Sequence, residues 1–228
     1  MRRVVPRREL FHTAGVPFHV LNRGARRLRL FEHAADYDAF LGVLEEGRVR
    51  TGIRLLTYCV MPNHFHLVVS PEIDGQMTEF MWWFQLTHSK RWVGFRRIRG
   101  IGAVYQGRFR AFAVQDDGHL LTVCRYVERN PLRAGLVARA EEWPWSGLRQ
   151  RFKNCNGPGL ATWPILQPPN WLDIVNAGDR PTELTRLRTS LRRNAPFGSE
   201  DWLADAASRG LGSLKVIGRP KHPNSSGM

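Results

Sequence analysis

Lysine is nearly missing from this chain and cysteine is scarce. The 228 residues include four lysines (Lys90, Lys153, Lys215, Lys221) and three cysteines (Cys59, Cys124, Cys155). Three cysteines cannot form a disulfide framework, and no CxxC pair offers a zinc site. No apolar run approaches the ~18–20 residues that a membrane span requires. Met1, Arg2, Arg3, Val4 and Pro6 do not open a signal-peptide core. A GxxxxGK[ST] loop is also missing, which argues against P-loop nucleotide chemistry. These absences predict a reducing, cytoplasmic (nucleoid-associated) setting with no membrane partner.

Arginine is what the chain has in abundance. It supplies 30 of the 34 basic residues, set against 20 acidic ones, for a formal net charge of +14. The isoelectric point is near 11.0. A GC-rich coding bias would account for much of the arginine. The overall charge reaches further, because a basic surface is the electrostatic footprint of nucleic-acid binding and a guanidinium fork matches a pair of phosphate oxygens. With 43% hydrophobic and 24% charged residues, the chain is globular and long enough for a sizeable core.

The periods alternate along the first 150 residues. Val16 to Asn22 reads as a strand, followed by an arginine-rich loop (Arg23, Arg26, Arg27, Arg29). Asp36 is expected to cap a helix with the stripe Tyr37, Phe40, Leu41 and Leu44. Ile53 to Val60 and His64 to Ser70 read as hairpin strands about the turn Met61-Pro62-Asn63. Thr78 to Trp92 forms a second helix, Gln106 to Val114 a fourth strand. Asp116 and Asp117 open a third helix that should stop near Asn130, before Pro131. The order β-α-β-β-α-β-α predicts an α+β, ferredoxin-like antiparallel sheet with two helices on one face and the third helix across the other. Ser146 to Pro169, rich in glycine and proline, reads as a boundary.

The sharpest local feature is His64-Phe65-His66. Alternation on a strand sends His64 and His66 to one face while Phe65, Leu67 and Val69 take the other. Two neutral imidazoles roughly 6–7 Å apart along a strand can chelate a divalent cation; a pair of ordinary strand histidines is the plainer reading. On the third helix, Tyr126 and Asn130 are four residues apart and share a face. Alone, that pair is unremarkable. Together the two features supply what phosphodiester cleavage through a covalent intermediate needs, a nucleophile and a Lewis acid site. A phenol with pKa ~10 requires help in losing its proton. Tyr37 and Tyr58 read as core, and Tyr105, beside Gln106, remains a rival nucleophile.

Longer blocks carry a resemblance. Met61-Pro62-Asn63-His64-Phe65-His66-Leu67-Val68-Val69 resembles the metal-binding strand of the single-tyrosine HUH transposases, and specifically of the REP-associated tyrosine transposases. Agreement extends to Val20-Leu21-Asn22-Arg23-Gly24, Gln106-Gly107-Arg108-Phe109, Tyr126 through Asn130-Pro131-Leu132-Arg133-Ala134-Gly135-Leu136-Val137, and Trp143-Pro144-Trp145-Ser146. The blocks occur in order over roughly residues 15–147. The resemblance implies that His64 and His66 are metal ligands for Mg2+ or Mn2+, that Asn130 is the third ligand, and that Tyr126 attacks single-stranded DNA beside a hairpin and keeps a 5′-phosphotyrosine link. One departure is Glu128-Arg129, where the family usually has a histidine and an aliphatic residue. Both lie off the 126/130 face and are expected to change surface or DNA contacts.

Residues 1–150 would then form the catalytic domain, 151–180 a linker, and 181–228 a basic helical tail. The two parts are both basic, with 23 basic and 14 acidic residues up to 150, and 11 and 6 after it. DNA contacts are expected from Arg23, Arg26, Arg27, Lys90, Arg91, Arg96, Arg97, Arg108, Arg110 and Arg219. Seven basic groups and no acidic ones lie between residues 85 and 110, interleaved with Trp92, Phe95, Tyr105 and Phe109, a pattern suited to an unpaired strand. One of Trp82 and Trp83 could stack a base. In the tail, Leu184, Leu187 and Leu191 mark an amphipathic helix, Ser199 caps a shorter one, and Gly218-Arg219-Pro220-Lys221 resembles half of a minor-groove hook. The tail favours a monomer over a homodimer. A non-catalytic hairpin-DNA-binding regulator is the second reading, and a structural zinc held by His64, His66 and Cys59 the third.

Overall fold

A computed structural model describes residues 14–98, 100, 102–209 and 211. Arg219 and the Gly218–Lys221 motif lie outside the described residues. Four strands, β1 (Phe18–Arg23), β2 (Arg54–Met61), β3 (His64–Ser70) and β4 (Arg110–Ala113), form one antiparallel sheet in the order β2-β3-β1-β4. That order, with a helix after β1 and another after β3, is the ferredoxin-like split βαβ arrangement the alternating periods predict.

Helices α1 (Ala34–Thr51) and α2 (Gln76–Arg96) cover one face. Their contact with the sheet is a cluster of rings. Phe65 of β3 lies 5.3 Å from Phe40 of α1 and 5.7 Å from Phe84 of α2, with Phe31 5.0 Å from Phe40. All four rings are fully buried. Gly47 lets the two helices approach, since a Cβ there would stand 3.1 Å from Phe80 and 3.2 Å from Trp83. On the opposite face lies α3 (Gly118–Glu128), followed by the single turn α4 (Asn130–Arg133). Pro131 does end α3, and because it lacks an N–H it sits comfortably in the first turn of α4.

Two expected boundaries move. His33, not Asp36, is the N-cap of α1; the Asp36 carboxylate instead accepts from the amides of Glu32 and His33, the N3 half of a capping box. β4 is four residues long because Gly107, at φ +119, turns the chain out of strand geometry; the 106–107 segment is tied to β1 by Gln106 N–H donating to Arg23 C=O and by Asn22 Nδ2 donating to Gly107 C=O.

The segment after residue 146 runs over the sheet as a strap. Ser146 caps α5 (Gly147–Lys153), and Val60 N–H donates to Trp145 C=O, covering the outer edge of β2. Residues 151–180 pack on the body. Trp163 Nε1 donates to Leu56 C=O, Trp171 opens α6 (Trp171–Asn176), and both indoles are buried at 5.2 Å in edge-to-face contact. The amphipathic helix is α7 (Pro181–Arg193), which buries Leu187 and Leu191, and Ser199 caps α8 (Glu200–Ser208) as expected. Phe197 then pairs with the free edge of β4 through its N–H to Ala113 C=O. Among the described residues no helix is long and apolar enough to cross a membrane.

Candidate active site

The strand β3 that gives Phe65 to the ring cluster turns His64 and His66 to the α3 face. Their ring centroids are 5.0 Å apart, and the Tyr126 ring of α3 lies 5.9 Å from His66. Sheet and helix therefore bring the two imidazoles and the phenol together. Tyr126 is half-buried, and Asn130, one turn on, is almost wholly enclosed.

Each imidazole is oriented through its Nδ1. His64 Nδ1 meets Asn63 Oδ1 at 2.7 Å, so this nitrogen donates and Nε2 carries the lone pair. His66 Nδ1 lies 2.9 Å from Nε2 of His19, a third histidine that the sequence reading did not single out. His19 comes from β1, where its neighbours Phe18 and Val20 face the other side, and its ring lies 6.1 Å from Tyr126. An imidazole at the centre of an apolar strand was the available signal. Which neighbouring strand it would meet depends on the β1–β3 register, which pairs Leu21 with His66 and leaves His19 diagonal to it.

Burial keeps all three imidazoles neutral. His19 is lowered to about 3, with Arg110 adding to the effect, and His64 to about 4, with Arg23 and Arg133 contributing. His66 is pushed well below the ordinary value by burial, then by its histidine neighbours and the same two arginines. Neutral imidazoles are the form that binds cations. The donor set suits a divalent ion that takes nitrogen and oxygen: a free Nε2 on His64, His66 beside it on the same strand face, and the side-chain oxygen of the enclosed Asn130 one turn beyond Tyr126. Among the described residues no group of three His, Cys, Asp or Glu could hold a metal. The Cys59 thiol is fully buried, directed at Met61 Sδ at 3.7 Å, and pushed up by burial, which disfavours the thiolate that a zinc site needs.

Tyr105 departs from the site. It is buried on the α1–α2 face, 5.9 Å from the Phe65 ring, with its hydroxyl 2.8 Å from His88 Nδ1 and its pKa driven up by burial. Tyr37 stacks on Trp145 at 3.8 Å, and Tyr58 contacts Gln150.

Glu128 and Arg129 correct an expectation. Both turn to partners within the chain. Glu128 is fully buried, accepting from Thr57 Oγ1 at 2.6 Å and from Trp171 Nε1 at 2.7 Å, and burial lifts its carboxyl to about 7 against the pull of those two donors. Arg129 donates to the carbonyls of Val175 and Asn176 and pairs with Asp179 at 3.1 Å. Arg125 does the same for Ile174, Ala177 and Gly178. Two guanidinia of α3 thus satisfy the carbonyls at the C-terminal end of α6. The faces of α3 that turn away from the site grip the strap, and the strap holds α3 in place.

The basic residues expected to meet DNA divide into two sets. Arg91 forms a bidentate pair with Glu46 at 2.6 and 2.8 Å, Arg96 pairs with Asp36 at 2.9 Å, and Arg110 donates to Leu191 C=O. Those three are committed to internal partners. Arg23, Arg26, Arg27, Lys90, Arg97 and Arg108 are exposed and carry no ion pair among the described residues. Arg26 and Arg27 have φ +53 and +62, a strained conformation for side chains other than glycine. Arg23 stands opposite His64 in the β1–β3 register. Trp82 is 64% exposed and Phe95 80% exposed on α2, whereas Trp83 packs beside Gly47.

Several known proteins are similar to this chain. Residues 13–130 match the family described as "Transposase IS200 like". A Haemophilus influenzae protein provisionally named a REP-associated tyrosine transposase is 28% identical over 105 residues, covering 42% of this chain and 58% of that relative. Among solved structures, a REP-associated tyrosine transposase bound to a REP hairpin covers 70% of this chain and 92% of its own, with 17% identity and a TM-score of 0.48. A Deinococcus radiodurans protein provisionally named a transposase covers 54% and 95%, with 14% identity and a TM-score of 0.40.

Proposed function

The chain belongs to the IS200-like transposase family, and on that premise we propose that it cleaves and rejoins single-stranded DNA beside REP-type hairpins, with Tyr126 as nucleophile. The observation that carries the reading is the approach of the Tyr126 ring to 5.9 Å from His66, with His64 5.0 Å further along the same strand face. A phenol and an oriented imidazole pair, half-open to solvent on a basic protein, suit phosphodiester transfer.

Tyr126 Oη forms the new bond to phosphorus as the P–O3′ bond breaks. The phenol proton leaves to water and the departing 3′ oxygen takes one up. The product is a 5′-phosphotyrosine and a free 3′ hydroxyl. Attack by a 3′ hydroxyl reverses the step and releases the phenol, so strands are rejoined without ATP. His64, His66 and Asn130 would hold Mg2+ or Mn2+, which supplies Lewis acidity at the scissile phosphate when bound. His19 and Asn63 hold the two imidazoles in orientation. The free basic set, with Arg23 nearest the imidazoles, would carry the DNA backbone, and Trp82 and Phe95 offer faces to unpaired bases. The strap that braces α3 comes from the same chain, so a monomer suffices.

The test is mass spectrometry of a trapped peptide–DNA adduct formed with hairpin-bearing single strands and Mg2+ or Mn2+. The expected adduct maps to Tyr126 and disappears in Tyr126→Phe while hairpin binding remains. A wild-type protein that binds hairpins but never forms an adduct would instead be a non-catalytic regulator. Chelation should stop adduct formation and leave the folded protein intact; unfolding on chelation would favour a structural metal.

A further inference from the structure

Most arginines of the α3–α4 region are accounted for. Arg125 and Arg129 hold the α6 carbonyls. Arg133 is not spent in this way. Its guanidinium carbon sits 4.1 Å from the centroid of the Tyr126 ring, and Nη2 makes one long contact, 3.4 Å, with Tyr126 C=O. Nη1 is buried and has no hydrogen-bond partner. No carboxylate pairs with it among the described residues.

Other arginines with an unpartnered buried nitrogen differ in this respect. Arg96 has Asp36 and Glu32 beside it, and Arg151 donates to Leu56 C=O and lies over Trp163. Leaving a guanidinium desolvated and unpaired is unfavourable unless an anion completes it. Burial indeed lowers the Arg133 pKa, against the opposing influence of Tyr126 and Asp179.

We infer that Arg133 is a phosphate-binding catalytic residue, its guanidinium turning the unpartnered Nη1 out to a non-bridging oxygen of the scissile phosphodiester while it stays on the ring of the attacking tyrosine. A planar fork on the phenol ring with one donor unpartnered can set the distance between nucleophile and phosphorus. It also supplies positive charge where negative charge develops in the transition state. This inference rests on the proposed reading of Tyr126 as the nucleophile.

Two measurements on the full chain separate the inference from that reading. In the first, inorganic phosphate is titrated into protein with ring-labelled tyrosine, and the Tyr126 resonance, assigned with Tyr126→Phe, is followed by NMR. The wild type should show a saturable shift; Arg133→Gln should lose it and Arg133→Lys should keep a weaker one. An equal shift in Arg133→Gln overturns the inference, whether or not the protein cleaves DNA. In the second, adduct formation is timed on a hairpin-bearing strand with a phosphate or a single phosphorothioate diastereomer at the scissile position. Arg133→Gln should slow the normal strand about 100- to 1,000-fold at saturating DNA with hairpin affinity within threefold, and its remaining activity should be insensitive to the sulfur that slows the wild type. A merely structural Arg133 would leave the sulfur effect unchanged, and that outcome also overturns the inference. Failure of the wild type to form any adduct would count against the tyrosine chemistry alone, because the phosphate titration decides Arg133 independently.

Discussion

The α1–α2 face of the sheet is sealed by aromatic rings, whereas the α3 face gathers three imidazoles, a phenol, an amide, a carboxyl and a thiol. Both are made by the same four strands, and β3 supplies Phe65 to one and His64 and His66 to the other. The difference lies in what closes each face. Phe31, Phe40, Phe65 and Phe84 bury large apolar areas, each removal costing several kcal/mol. Across the sheet, α3 buries Leu120, Val123 and Val127 as well, and directional bonds are added to that packing: Thr57 and Trp171 to Glu128, and two arginines to the end of α6. A dry layer stabilises the fold, and a hydrogen-bonded layer fixes where a reactive side chain points.

If the two faces divide the work in this way, substitutions on them should separate stability from chemistry. Tyr126→Phe should abolish adduct formation, by more than a thousandfold, and leave the urea midpoint unchanged within error; a large loss of stability would mean the phenol is a core group. Phe65→Ala should do the reverse, costing about 3–5 kcal/mol in denaturant unfolding while the molecules that stay folded still form adduct.

A pH profile sharpens the comparison on the sealed face. Burial lowers His88 to about 4. Above the unfolded value of about 6.5 both states are neutral and the group contributes no pH dependence. As pH falls from 6.5 towards 4, the unfolded chain binds a proton that the folded one refuses, so stability declines, by roughly 3 kcal/mol at most. His88→Gln should make this arm shallower in urea titrations at pH 4.5 and 7.5, leaving the part due to His19, His64 and His66; an unchanged slope would show that His88 is hydrated.

On the other face, Glu128→Leu should cost about 2 kcal/mol, since it leaves the Trp171 N–H and Thr57 hydroxyl without partners, and should slow adduct formation as α3 loosens. Glu128→Gln should restore most of both, with Thr57 accepting from the new amide and Trp171 still donating. Equal behaviour of the two variants would remove Glu128 from the brace. The smallest effect is expected outside both faces: Arg91→Ala, which breaks an exposed pair with Glu46, should change stability by less than about 1 kcal/mol and hairpin affinity by less than twofold. A strong affinity loss would return Arg91 to the DNA surface.

Much of this was legible in the chain. Alternation on β3 separates His64 and His66 from Phe65 whatever the strand packs against, and the spacing of Tyr126 and Asn130 puts them on one helical face. The β-α-β-β-α-β-α order was readable from changes of period. The partners within the basic run at 85–110 were not legible, because counting charges says nothing of what they pair with: Glu46 is 45 residues from Arg91, and Asp36 is 60 from Arg96. Glu128 looked like a surface change since its partners, Thr57 and Trp171, are 71 and 43 residues away. Residues 151–180 looked like a connector because glycine and proline mask the two tryptophans that pack there.

Local rules within one segment, a period of two on a strand and of 3.6 on a helix, already put His64 and His66 on one face of β3 against Phe65, and Tyr126 and Asn130 on one face of a helix. Strand register and the docking of the strap decided the rest: His19 beside His66, Glu128 under Trp171, and Arg133 against the phenol with one nitrogen left unpartnered. Side-chain direction is set by the backbone a few residues either way, whereas the satisfaction of a buried charge depends on groups that meet only when distant parts of the chain have packed.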